Sequence, residues 1–281
     1  MTMMWKRTCA IGGLILALTT GTALAQGRQN LLGQARQAYN SQRYDEAIRL
    51  ATQARGVPAL SAPAAVVLAR ACLERYRQTA QPADLVTARE ALRTVSVSAL
   101  EPRDQVELQV AVGVSLYLDD EGALGDRFSA AAEAFERALA RASLLDARSR
   151  DLLFEWWAGS LDRQAQQGPE SGRRNIYERV LAAAEKELAA DPVAASASYW
   201  LAAAARGTDD LSRAVGAAAS GWIRAGSMGP RGAALRADLD RLMLQVVLPE
   251  RARELAPGAD PRPVLAQLET EWRDLKGKWG N

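Results

Sequence analysis

The sequence predicts an all-α protein assembled from consecutive helical pairs, and three observations carry that prediction. The first is a recurring spacing. Tyr44, Ala47, Ala51 and Ala54 are three, four and three residues apart, the intervals of one helical face. The same large-and-small frame returns at Leu85, Ala88, Leu92, Val95 and at Phe128, Ala131, Phe135, Ala138. It is degraded at Tyr177, Val180, Ala184, Glu187 and restored at Leu211, Ala214, Ala218, Gly221. The second is composition: 48% of the residues are hydrophobic, alanine dominates, only three are Phe, and β-branched runs are few, which favours helix. The third is punctuation, with Gly and Pro gathered between the periodic runs.

In order, Gln29–Asn40 and Arg43–Arg55 read as the first pair, closed by Gly56-Val57-Pro58. Ser61 is placed to cap a third helix running to about Arg77, with Pro63 in its first turn. After the turn Gln78–Gln81, Pro82 opens a helix that ends near Val95, and Ser96–Leu100 connects. Pro102 opens a fifth, with Val106, Val110, Gly113, Val114 and Tyr117 on its core face. The acidic turn Asp119–Asp126 invites a calcium reading, but Gly122 and Gly125 do not fit an EF-hand loop. It reads instead as a solvated turn whose Asp126 favours the next helix N-terminus. Ala142–Arg150 joins to a helix at Asp151–Gln167 carrying Phe154, Trp156 and Trp157. Adjacent tryptophans face about 100° apart on a helix, so both are buried only if packed on two sides; otherwise one lines a surface. Gly168–Gly172 is a break, Asn175–Ala190 a helix, and Asp191-Pro192 a second stop. In the pair after it, Gly207 ends the first helix and Thr208 is the natural N-cap of the second. Arg231–Val247 follows, with Leu235, Leu239, Leu242, Met243 and Val246 on one stripe; Pro249 then starts a short helix to Ala256. Beyond a Pro- and Gly-rich linker, Pro263–Trp279 is amphipathic, its seam Leu265, Leu268, Trp272, Leu275 and Trp279.

The run YDEAI at 44–48 and the frame around it resemble the second half of a tetratricopeptide repeat. Ala35 lies 12 residues before Ala47 and Ala202 lies 12 before Ala214, which matches that family's register; Gly113 precedes Ala131 by 18, leaving room for the longer acidic turn. The frames start 41, 43, 49 and 34 residues apart, against about 34 in the family. The resemblance covers Leu31–Ala225. It implies a right-handed α-α superhelix, a solenoid of about five such pairs over 26–226, with capping helices over 227–281. The alternative is a non-repetitive helical bundle with an alanine-rich core. The resemblance also implies that the first helix of each pair lines a concave groove. Polar or aromatic residues off the apolar stripe are then the candidate groove contacts: Gln37, Asn40, Arg70, Arg77, Gln109, Trp156 and Asp162. The expected function is a non-catalytic scaffold that holds a protein or peptide partner. An accessory role in an envelope transport or assembly system is the alternative, favoured by a narrow apolar pore. The last helix either caps the solenoid or folds back into the groove.

Residues 1–25 read as a cleaved signal peptide. Lys6 and Arg7 precede an apolar stretch at Cys9–Thr20, and Ala23-Leu24-Ala25 is a small-residue cleavage site, so the mature chain is expected to begin at Gln26 in a bacterial periplasm or outside the cell. An uncleaved N-terminal anchor is the alternative; no second apolar segment has spanning length. Without Lys6 and Arg7 the charges cancel, 33 against 33. Residues 26–100 are basic and 101–165 acidic, and no basic, aromatic-interleaved cluster points to nucleic acid. Cys72 is left without a partner and reads as a buried small hydrophobe. The chain has no histidine, which removes histidine-dependent triads and the commonest zinc sites. No phosphate loop or nucleophile elbow occurs, and no cofactor is expected. Two carboxylates suffice for a glycosidase, and Glu155 beside Trp156 and Trp157 is weighed for one, but no residues are left over for a catalytic domain.

Overall fold

A computed structural model describes residues 30–119 and 127–280. The predicted leader, the Gln26 start and most of the acidic turn lie outside the described residues. All the regular structure among them is helical, with no strand. The chain divides between Ala111 and Val112 into two compact units.

In the first unit, helix α1 spans 30–40, α2 Tyr44–Arg55, α3 Ser61–Thr79 and α4 Pro82–Arg93, and α5, Pro102–Tyr117, begins there. α3 packs on α2 before it and on α4 after it. That double contact explains why α3 is buried all round from Pro63 to Ala69 and at Ala71, Cys72 and Leu73. The frame alanines Ala47, Ala51 and Ala54 and the crossing residue Ala35 are fully buried, so small side chains lie where helices meet. Chain reversals use the left-handed region at Gln42 and Ala80. Ser61 is the first residue of α3 and makes no capping bond; a short 3-10 turn at Pro58–Leu60 leads into the helix instead.

The second unit holds the end of α5 and then α6 Arg127–Leu139, α7 Ala147–Gln167, α8 Glu170–Ala190, α9 Ala195–Gly207 and α10 Leu211–Ala225. α11 Pro230–Leu242, a π-turn Met243–Val247, α12 Leu248–Leu255 and α13 Arg262–Trp279 complete it. Successive helices pack, and α9 also touches both α7 and α11, so these three form a row. α6 carries Phe128, Ala131, Phe135 and Ala138 inward, as the frame predicts. Gly113 of α5 is there for clearance, because a Cβ would sit 2.5 Å from the Phe135 ring.

Several local expectations are corrected. α7 starts one turn early, because Asp146 accepts the Ser149 N–H and caps it. Glu170, Ser171 and Gly172 belong to α8, so the break is confined to Gly168 and Pro169. Asp210, not Thr208, caps α10 by accepting the Arg213 N–H; Thr208 instead closes α9 with its hydroxyl on the Ala205 carbonyl. Pro249 stands in the first turn of the short helix α12, as expected, but no break separates it from α11. The helix passes through Met243–Val247 with the wider π spacing and then resumes. Pro249 has no N–H to donate and its ring crowds the carbonyl four residues back, and a π-turn is one way to absorb that misfit. The buried stripe therefore shifts to Leu235, Leu239, Met243 and Val247, leaving Val246 half-exposed.

Candidate functional site

Polar side chains converge at several places; two of them, one in each unit, gather pairs of carboxylates from a single helix, while a further cleft of about 420 Å³ in the second unit is lined by Arg173, Tyr177, Arg206 and Glu250, with Arg206 and Glu250 already paired. In the first unit a small cavity of about 110 Å³ is lined by α1, α3 and α5 through Tyr39, Asn40, Arg70, Glu107 and their neighbours. α5 contributes two buried carboxylates, Asp104 and Glu107. Arg36 of α1 pairs with Asp104. Arg70 of α3 reaches Glu107 at 3.1 Å, Arg103 reaches it at 3.2 Å, and the Arg70 guanidinium lies 4.4 Å above the Tyr39 ring. Burial opposes the Arg70 charge, but Tyr39 and Glu107 hold it firmly protonated. Burial raises the Asp104 carboxyl against the pull of Arg36, and raises the Tyr39 phenol. The cluster is electrostatically complete, each buried carboxylate being met by an arginine.

The second convergence is a cleft of about 410 Å³ walled by α7, α9 and α11. α7 presents Asp151 and Glu155, one turn apart and so on one face. α9 presents Ser196, Tyr199 and Trp200, and α11 presents Arg231 and Asp238. Asp151 accepts the Ser196 N–H at 3.0 Å, in the first turn of α9 where backbone donors are free. Glu155 accepts the Trp200 indole N–H at 3.0 Å. Burial raises both carboxyls above their ordinary values, and the hydrogen bonds only partly offset it. Tyr199, half-buried, is raised by burial and by Glu155 beside it. Among the described residues neither Asp151 nor Glu155 makes an ion pair: Arg231 bears on Asp151 without contact, and Asp238 turns to Arg241 at 3.1 Å.

The candidate contacts fall in different surroundings. Asn40 and Arg70 meet in the first-unit cavity. Gln37 is exposed on α1, and Gln109 is half-buried on α5. Arg77 is exposed and pairs with Glu74 at 2.9 Å. Trp156 is only 9% exposed and packs edge-on to Tyr117 and stacked on Phe135, so it is core. Trp157 is buried as well, its indole N–H donated to Glu136; α7 is packed on two sides, and neither tryptophan lines a surface. Asp162 accepts the Tyr177 hydroxyl at 2.8 Å and the Gln166 amide at 2.6 Å, which ties α7 to α8. Neither Trp156 nor Asp162 lines the cleft of α7, α9 and α11. Sequence reasoning singled out Glu155 but gave it the wrong aromatic neighbour, since its partner is Trp200, 45 residues on. It missed Asp151, Ser196, Tyr199, Arg231 and Asp238. The available signal was the pair of acids one turn apart on a helix otherwise rich in aromatics.

The seam of α13 packs on α12. Trp272 is buried, donates its indole N–H to Asp240 of α11 at 2.8 Å and meets Trp222 of α10, while Lys276 bonds Asp240 at 3.0 Å. Leu265, Leu268 and Leu275 are half-buried and Trp279 is 49% exposed. No residue of α13 lines the cleft. No helix among the described residues is long and apolar enough to cross a membrane. Cys72 is fully buried and unpaired, and burial pushes its thiol up to about 11. Compared with known proteins, the chain matches no family model, no curated protein and no solved structure.

Proposed function

We propose that this chain is an exported, non-catalytic scaffold that binds a protein or peptide segment across the cleft of α7, α9 and α11. The helical pairs are read as tetratricopeptide-like repeats in a right-handed superhelix, and the residues from 227 on as their cap. The observation that carries the reading is the cleft itself. Alternate helices of the pairs form one wall-to-wall row, and the row gathers polar and aromatic side chains around about 410 Å³ of open space, a volume in the range of ligand sites. Its carboxylate-lined surface suits a binding groove better than an apolar transport pore.

The test is affinity capture from an envelope extract with the mature chain and with Ala234→Trp, followed by mass spectrometry. Ala234 lines the cleft and is exposed, so the indole fills space without disturbing the core. A partner captured by the natural chain and lost with an equally helical Ala234→Trp is the expected result. Equal capture by both moves the binding surface elsewhere. Released muropeptides on incubation with peptidoglycan would overturn the non-catalytic reading. Export is checked by intact mass: the periplasmic protein should begin at Gln26.

A further inference from the structure

We infer that the cleft of α7, α9 and α11 is a receptor for a guanidinium or ammonium group, carried by an arginine or lysine side chain of the bound segment. The inference rests on the scaffold reading and adds the chemistry of its ligand. It comes from comparing the two carboxylate pairs, each taken within its own unit. On α5, Asp104 and Glu107 are buried carboxylates, and arginines from neighbouring turns and helices meet both: Arg36 on Asp104, Arg70 and Arg103 on Glu107. The arginine stems and heads fill that site and leave about 110 Å³. On α7, Asp151 and Glu155 are half-buried, and among the described residues no cation from the neighbouring helices pairs with them; Arg231 of α11 acts on Asp151 only at a distance. What meets them is the backbone N–H and the hydroxyl of Ser196 and an indole N–H from Trp200, all neutral donors, and about 410 Å³ stays open.

Charge and shape agree on the occupant. The lining carries three carboxylates, Asp151, Glu155 and Asp238, against one cation, Arg231; Asp238 is met by Arg241 from outside the lining, which leaves Asp151 and Glu155 without an ion pair. A carboxylate drawn out of water without a counter-charge is costly, and supplying the counter-charge recovers much of that cost. Tyr199 and Trp200 add what an alkyl-cation needs. The Tyr199 ring lines the cleft and is half-exposed, a surface against which a lysine stem or a guanidinium plane stacks. In the first unit Arg70 lies on Tyr39 in that way, 4.4 Å from the ring centroid. A bare metal ion fits less well, because among the described residues no three acidic or thiol groups gather as ligands.

The experiment uses the mature full chain and two probes. An immobilised array of random-sequence decapeptides is scored for residue enrichment, and N-acetyl-argininamide is titrated while the melting temperature is followed. Expected are enrichment of Arg and Lys among bound peptides, weakened by salt, and a melting-temperature rise with N-acetyl-argininamide but not with N-acetyl-norleucinamide. Glu155→Gln keeps an acceptor for the Trp200 indole and should weaken the basic peptides about tenfold, as losing one member of a charge pair does. Asp151→Asn should act in the same direction. Because Glu155→Gln also removes a half-buried charge that lacks an ion pair, its own melting temperature should hold or rise, which separates lost binding from lost fold. Peptides bound without basic enrichment, or with enrichment unchanged in Glu155→Gln, would overturn this inference and leave the scaffold reading standing. No bound decapeptide, with a melting-temperature rise from N-acetyl-argininamide that Glu155→Gln abolishes, would retain the cation receptor and overturn the peptide scaffold. Silence in both probes would overturn both.

Discussion

Glu155 is held by a tryptophan indole, whereas Glu107 is held by two arginines. Burial raises the Glu155 and Asp151 carboxyls above their ordinary values of 4.5 and 3.8. The folded chain then keeps protons that the unfolded chain has released, so stability falls as pH rises from those values through the raised ones. Glu250 runs the other way: its bond to Arg206 lowers it, so its contribution is present above 4.5 and lost as pH falls through the lowered value. Glu155→Gln should therefore raise the urea midpoint at neutral pH and leave it nearly unchanged at about pH 4. Removing a carboxylate that is paired should destabilise instead. Asp84 is 4% exposed and accepts Arg75 Nε at 2.9 Å, while Arg75 also reaches Asp45 at 2.6 Å, tying α3 to α2 and α4. Asp84→Ala leaves a half-buried guanidinium short of a partner and should cost about 2–3 kcal/mol in urea unfolding.

At the scale of the element, the frame alanines make the sharpest prediction. Ala131 and Ala214 are fully buried, and a leucine at either should cost about 1–3 kcal/mol. Ala132, which lies outside the frame by spacing, is also buried and is no control; the exposed Glu133 serves in its place. Two glycines give a paired test. Gly113→Ala forces a methyl into the Phe135 ring and should destabilise, whereas Gly216→Ala meets nothing within 4 Å on an exposed helix face and should gain about 0.5–1 kcal/mol. The element scale is also where the sequence was most legible. A three-four-three repeat is a local property of one helix, and the chain order shows which helices follow which. Caps were less legible, because Thr208 and Asp210 both had the chemistry, and α9 running on to Gly207 takes Thr208 as its own C-cap and leaves Asp210 to α10. The cleft was least legible. Asp151 and Glu155 are adjacent in helical space, but Trp200 and Asp238 reach them only through packing of elements far apart in sequence.

At the scale of the whole molecule, an apolar seam has to find cover. In α13 that cover centres on one residue: Trp272 is buried against Trp222 and bonded to Asp240. Removing 261–281 uncovers the Trp222 ring and the α11–α12 surface, and the truncated chain should melt lower and self-associate, as read by calorimetry and light scattering. Trp272→Ala alone should cost about 3–5 kcal/mol. Since α13 contributes nothing to the lining of the cleft, whatever truncated chain remains folded should bind basic decapeptides as the full chain does.

The absence of histidine has a consequence for calorimetry. With no imidazole in the chain and the one described thiol pushed up to about 11, few protein groups exchange protons with buffer in mildly acid solution. The cleft is an exception. Asp151 and Glu155 on α7 are raised there, faced by Ser196 and Tyr199 from α9 and by Arg231 and Asp238 from α11. A cation that seats against them favours their ionised forms and expels protons. Heats of binding measured at about pH 5 should then vary linearly with the ionisation enthalpy of the buffer, and the variation should vanish at about pH 8. In Glu155→Gln the slope should shrink to what Asp151 alone releases, so that the proton count itself reports how many carboxyls the ligand touches.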